Sequence, residues 1–214
     1  MARRSAIRRF VDFGTFPLRA VTLFYDDRWG LSSLASERFD YAAREVAGNC
    51  LDVGCGNNRF VREYLCGRGQ GIDVVPYEGL APENVVPNLT RFPYENGSFD
   101  SVTFIANLNH VPEPQRDAEL AEAHRVLRPG GNVVVTMGNP LAEIFVHKLV
   151  ALYDRVLKTR YDLDSERGMH EDEDYYLSDS EIRERLARAG FRGIRKKWFW
   201  TQWGLNHLLV GWKS

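Results

Sequence analysis

A chain of 214 residues, 44% hydrophobic and 27% charged, fits one globular domain with a small appendage, large enough to build a core without disulfides or a structural metal. An odd count of three cysteines and the lack of any apolar run near 18 residues exclude a disulfide scaffold and a membrane-spanning helix. A formal net charge of −1 excludes a protein whose main work is neutralising nucleic-acid phosphates, and the start shows no leader pattern, so the expectation is a cytoplasmic protein without a nucleic-acid partner.

The charge is unevenly spread. Arg3, Arg4, Arg8, Arg9 and Arg19 against Asp12 make the first twenty residues basic, 162–184 is acidic, and 185–197 is basic again. Ile7, Phe10 and Val11, then Leu18, Val21 and Leu23, recur at helical spacing on either side of Phe16-Pro17, so residues 1–47 read as a helical cap. Residues 48–214 read as one α/β domain. Short apolar runs at 50–53, 71–75, 101–106 and 132–137 are interspersed with helix-compatible stretches at 59–65 and 115–127, the second stopped by Pro129-Gly130-Gly131. That alternation predicts a parallel sheet with crossover helices. Residues 141–157 return to helical spacing, and 141–177 reads as an insertion ending in an acidic connector. Ser178, with Glu181 three residues on, caps a further helix that Gly190 ends. Runs at 191–200 and 206–212, joined near Gly204, pair as a hairpin, which reverses the last strand.

The chemistry concentrates at Leu51-Asp52-Val53-Gly54-Cys55-Gly56-Asn57-Asn58, a buried strand running into a Gly-rich turn. Gly54 and Gly56 let the backbone bend sharply and approach a ligand where a Cβ would obstruct it. Ile72-Asp73, about twenty residues on, supplies an acid at the end of the second strand that can accept both hydroxyls of a ribose. Together they predict an adenosine-type ligand. A dinucleotide fingerprint requires a third glycine where this chain has Arg59, and Asp52 would face a pyrophosphate with negative charge; the same charge suits the amino group and sulfonium of S-adenosylmethionine.

In these residues the sequence resembles the class I S-adenosylmethionine-dependent methyltransferases, in the broad group of methyltransferase type 11 and the ubiquinone/menaquinone methyltransferases. The resemblance runs from Cys50 to Pro140 through the Gly54 turn, Gly71-Ile72-Asp73, Phe92-Pro93-Tyr94-Glu95-Asn96-Gly97-Ser98-Phe99-Asp100 and Arg125-Val126-Leu127-Arg128-Pro129-Gly130-Gly131. It implies a Rossmann-like α/β fold: a seven-stranded sheet in the order 3-2-1-4-5-7-6, last strand antiparallel, with helices on both faces and an N-terminal helical cap. It also implies S-adenosylmethionine as cofactor, with S-adenosylhomocysteine as product.

Residue by residue, the resemblance implies that Asp52, Gly54, Cys55, Gly56 and Asn57 cradle the methionine part, that Asp73 binds the ribose, and that Val74 lies against the adenine. The family's adenine-binding acid falls on Asn88, whose carbonyl can still accept from an amino group, aided by the Leu89 N–H. Asn58 replaces a third glycine, and Asn tolerates left-handed backbone. Asn107 to His110 follow the fourth strand at the ligand edge, Asn107 beside the cofactor and His110 as a general base, a substrate contact or a residue that only packs the loop.

His124, His147, His170 and His207 lack ligand spacing, so no metal is expected. Trp198, Trp200, Trp203 and Trp212 read as sheet packing or as pocket lining. Acceptor choice should fall to the cap, where Tyr25, Asp26, Asp27 and Trp29 fold over the cofactor as a lid, and to the 141–176 insertion. Because the core motifs begin at Cys50, the first twenty residues read as dispensable for folding; their basic, amphipathic pattern suits either a helix docked on the domain or one resting on an anionic membrane. The expected function is methyl transfer by in-line displacement to a small-molecule or lipid-like acceptor. A methyltransferase on protein or nucleic acid and a non-catalytic binding module are the alternatives.

Overall fold

A computed structural model describes residues 4–23, 26–139 and 176–214. The strands are β1 (Cys50–Val53), β2 (Gly69–Ile72), β3 (Phe99–Ile105), β4 (Leu127–Gly138), β5 (Arg192–Trp198) and β6 (Asn206–Trp212). They form one sheet in the order β2-β1-β3-β4-β6-β5; β1 to β4 pair in parallel, and β6 runs antiparallel to both neighbours. Five of these strands therefore share one direction and the last opposes them.

Among the described residues the sheet has six strands, where seven were expected. The missing one is the edge strand beyond β2, which shrinks to a single parallel bridge between Asp73 and Val85. Its sequence explains the loss. Val85-Val86 stands between the short 3-10 turn Pro82–Asn84 and Pro87, and proline has no N–H to extend a ladder.

Strand alternation sorts the core onto two faces. Leu51, Val53, Val133, Val135 and Leu209 face one side, under α4 (Glu113–Val126) and α5 (Asp179–Arg188) through Leu120, Ala123, Ile182 and Leu186. Cys50, Val134, Leu208 and Val210 face the other, with Phe60, Val61 and Tyr41 of the π-turn Phe60–Tyr64 and of α3 (Leu34–Ala43). Helices thus cover both faces. The Ser178 hydroxyl accepts from the Glu181 N–H at 3.2 Å, giving α5 the cap its sequence promised.

The cap contains α1 (Ala6–Gly14) and α2 (Phe16–Thr22), broken at the expected place. Its docking is unusual: α1 turns its polar side inward. Asp12 is fully buried, paired with Arg4 and Arg8 and accepting from Ser32 Oγ at 3.1 Å. Arg19, also fully buried, donates to Glu37 at 3.0 Å, to the carbonyls of Asp12 and Ser32, and at 3.1 Å to the carbonyl of Thr201 between β5 and β6. The cap and the β5–β6 connection therefore share one buried polar network, against the expectation that the first twenty residues are dispensable for folding. Tyr25 and residues 140–175, which include most of the insertion, lie outside the described residues. Among the described residues no helix is long and apolar enough to cross a membrane.

Candidate cofactor site

Chain direction places the ends of β1, β2 and β3 side by side at the carboxyl edge of the sheet, where the connections from β1 and β3 leave in opposite directions. The turn after β1 is pinned to the end of β2 by Gly54 and Cys55 N–H groups donating to the Ile72 carbonyl at 2.9 and 3.1 Å. Gly54, Gly56 and Asn58 all lie in left-handed backbone, at φ +65°, +56° and +59°. Asn58 accepts the conformation expected of a glycine there.

Asp73 organises this turn. Its Oδ2 accepts from the Gly56 N–H at 2.8 Å and its Oδ1 from the Val75 N–H at 3.0 Å. Each carboxylate oxygen retains a lone pair for a further donor. Beyond it Val74, Val75 and Tyr77 are exposed, an apolar shelf beside the acid.

Asp52 is buried at the end of β1, on the face it shares with Cys50. Thr103 Oγ1, directly opposite on β3, donates to its Oδ1 at 2.6 Å. Burial, followed by repulsion from Asp73, pushes this carboxyl up to about 7 despite the hydrogen bond. The charge expected at Asp52 is therefore disfavoured in the unliganded protein, and a cation beside it would restore it. Thr103 went unrecognised in the sequence; its one signal was a hydroxyl between the apolar residues Val102 and Phe104. Burial beside Asp52 and Asp73 likewise pushes the Cys55 thiol up, which makes it a poor nucleophile.

On the far side of the turn, Ala106 leaves β3 at φ +51°, its N–H held by Thr136 Oγ1 at 2.9 Å. A non-glycine residue held there marks a constrained site. It aims Asn107 across the turn: a Cβ on Gly54 would stand 2.2 Å from Asn107 Cγ. Asn107 Nδ2 and Asn58 Oδ1 are buried without a hydrogen-bond partner. Against these crowded positions, a Cβ on Gly56 would meet nothing within 4 Å. His110 closes the turn after β3, its N–H donating to the Asn107 carbonyl at 2.8 Å.

The adenine end departs from expectation. Asn88 Oδ1 accepts from both the N–H and the hydroxyl of Thr90, at 3.1 and 2.7 Å, so its carbonyl serves its own loop. Leu89 packs into the core. Asn57 accepts from the Arg59 N–H at 3.1 Å, and Arg59 pairs with Asp26 at 3.4 Å, tying the cap to the exit of the turn. Trp29 is exposed. Trp198 packs on His207 and Trp212 beneath Arg195, whereas Trp200 and Trp203 meet α1.

These features fit S-adenosylmethionine. A sharp glycine turn with open space before Gly56, a carboxylate with free lone pairs, an apolar shelf beside it, a buried acid for a cation and two orphaned polar atoms match the donor and acceptor set of that molecule.

The profile of a methyltransferase-domain family matches residues 29–196. Over 130 residues the chain is 37% identical to the ubiquinone/menaquinone biosynthesis C-methyltransferase UbiE of Rhizobium johnstonii, covering 58% of this chain and 43% of that protein. Less than half of the relative's length is thus represented. Among solved structures, an S-adenosylmethionine-dependent methyltransferase of Thermotoga maritima aligns at TM-score 0.59 and 16% identity, over 97% of this chain and 98% of that one. A 1,6-didemethyltoxoflavin-N1-methyltransferase of Burkholderia thailandensis, bound to its substrate and S-adenosylhomocysteine, aligns at 0.58 and 18%, over 100% and 93%. At such identities the structural likeness speaks for the fold.

Proposed function

We propose that this chain, which belongs to the methyltransferase-domain family, moves a methyl group from S-adenosylmethionine to a small-molecule or lipid-like acceptor. The observation that carries the cofactor half is the pair Gly56 and Asp73: open space before the glycine, and an acid whose two oxygens fix the turn while keeping lone pairs outward. Asp73 holds the ribose hydroxyls, and Val74 supports the adenine. The turn Gly54 to Asn57, with Asn107 Nδ2, holds the amino-acid end, and Asp52 answers its positive charge. When bound, the cofactor supplies an electrophilic methyl group on a sulfonium with a neutral thioether as leaving group.

With so good a leaving group, the protein's contribution is alignment and exclusion of water rather than obligatory acid or base chemistry. His110 follows the turn that sets Asn107, at the edge where an acceptor enters. It takes a proton only if the acceptor must lose one. The similarity to a C-methyltransferase of ubiquinone and menaquinone synthesis supports an acceptor with a hydrophobic, quinone-like ring.

Calorimetry with S-adenosylmethionine and S-adenosylhomocysteine tests the cofactor half. Transfer of radiolabelled methyl to extracts divided into lipid, small-molecule and protein fractions tests the acceptor half. Label in the lipid or small-molecule fraction is expected; label confined to protein would overturn the acceptor assignment, and no binding would overturn the site.

A further inference from the structure

Helix α1 is built inside out. Ordinary surface helices bury an apolar stripe and expose polar residues. Here Asp12 is fully buried, while Ile7 and Phe10 are 78% and 70% exposed and Phe13 nearly half exposed, as is Leu18 on the adjoining α2. The outward face continues onto Trp200 and Trp203, whose rings stand 5.7 and 6.0 Å from Phe13, with the Trp203 indole N–H donating to the Phe13 carbonyl at 3.0 Å. Scattered exposed apolar residues need no explanation, but a contiguous aromatic patch does.

We infer that this face, Ile7, Phe10, Phe13, Leu18, Trp200 and Trp203, rests in the interfacial layer of an anionic lipid bilayer. Three observations select that occupant. The first is charge: Arg19 is buried against Glu37, but Arg4 and Arg8 share the single acid Asp12 on the inward side and Arg9 has no carboxylate on α1, so the helix keeps a positive excess and no carboxylate of α1 faces outward. Arg9 lies 5.2 Å above the Trp200 ring, a cation at the rim of the patch. A second copy of the chain would bring two such positive excesses together across a twofold axis, whereas anionic headgroups neutralise them. The second is composition, because tryptophans beside basic residues are the side chains that settle at headgroup level. The third is placement. The Trp200–Gln202 turn lies between the end of β5 and the start of β6, and β5 runs in the direction of β1, so the patch sits at the same edge of the sheet as the Gly54 turn. A bilayer there would present an amphiphile to the candidate crevice.

The inference deepens the acceptor half of the proposed function, and its test uses neither cofactor nor acceptor, so the two fail separately. The full chain is sedimented with vesicles of pure phosphatidylcholine and of phosphatidylcholine with about a quarter phosphatidylglycerol, while tryptophan emission is read with and without brominated acyl chains. Expected are sedimentation with the anionic vesicles, weakened several-fold by raising salt from about 0.05 to about 0.5 M, and quenching by bromine. Ile7→Ser and Phe10→Ser, both at exposed positions with circular dichroism as the folding control, should each weaken binding by about tenfold. Failure to sediment with either vesicle, or binding that both variants leave unchanged, overturns the inference. So does a dimer in solution that Phe10→Ser dissociates, since a second copy would then cover the face.

Discussion

Two glycines two residues apart separate crowding from cofactor exclusion, since both lie in left-handed backbone and only one is crowded. An alanine in that region costs about 1–2 kcal/mol, partly offset by about 0.4–1 kcal/mol from a stiffer unfolded chain. Gly56→Ala meets nothing within 4 Å and should therefore lose only about 1 kcal/mol of stability. Gly54→Ala places its Cβ 2.2 Å from Asn107 Cγ and must push that side chain away. Overpacking adds about 1–3 kcal/mol, for a total near 2–4 kcal/mol. Affinity should order differently from the bare unfolding penalty. Gly56→Ala, nearly harmless to the fold, fills the space in front of the turn and should weaken S-adenosylhomocysteine by at least about tenfold, or about 1.4 kcal/mol. Urea unfolding gives the first quantity and titration calorimetry the second. A Gly56→Ala protein that binds as tightly as the parent would refute the assignment of that space to the cofactor.

Asp73→Ala removes the acceptor of two backbone N–H groups as well as the proposed ribose ligand, and should cost about 1.5–3 kcal/mol of cofactor affinity, the scale of charged hydrogen bonds, by calorimetry. Asp52 makes binding depend on pH: with its carboxyl at about 7, a cationic ligand favours the ionised form, so affinity should rise by up to about tenfold from pH 6 to 8 with proton release below neutrality. The same raised value means that the unliganded protein loses stability as pH climbs from the ordinary carboxylate range to about 7, and Asp52→Asn should flatten both profiles. Arg19→Ala strands the buried Glu37 carboxylate and should destabilise the fold by about 3–5 kcal/mol in urea, as should deletion of residues 1–20; unchanged unfolding would show the cap to be independent.

Strand positions and the glycine turn were legible because they are local. Leu51 and Val53 alternate with Cys50 and Asp52, and Gly54 and Gly56 announce positive φ by residue type alone. The seventh strand, at the edge beyond β2, was expected from the family resemblance and not from any apolar run of this chain, and Pro82 and Pro87 deny ladder donors around Val85-Val86. Asp52 shows a subtler limit. Its identity signalled a negative charge, but the protonation of a buried acid is set by what surrounds it, here Thr103 on one neighbouring strand and Asp73 beyond the other. Both lie at long sequence separation. Asn88 has the same problem in reverse: its type allowed an adenine contact, and a hydroxyl two residues on engaged its carbonyl first.

The cap is where periodicity misleads most. Spacing at 7, 10 and 11, and again at 18 and 21, fixes that a helix forms and that its apolar residues share a side; it carries no information about which side meets the protein. That choice was made by polar groups. Asp12 and Arg19 look like ordinary surface residues in sequence, yet they close a buried circuit with Ser32, Glu37 and the Thr201 carbonyl that only the assembled β5–β6 connection can supply. A buried circuit of this kind is not cheaper than an apolar contact of equal size. Stability alone would have favoured turning Ile7 and Phe10 inward, so the outward aromatic face is better understood as a surface retained for a partner than as a packing solution.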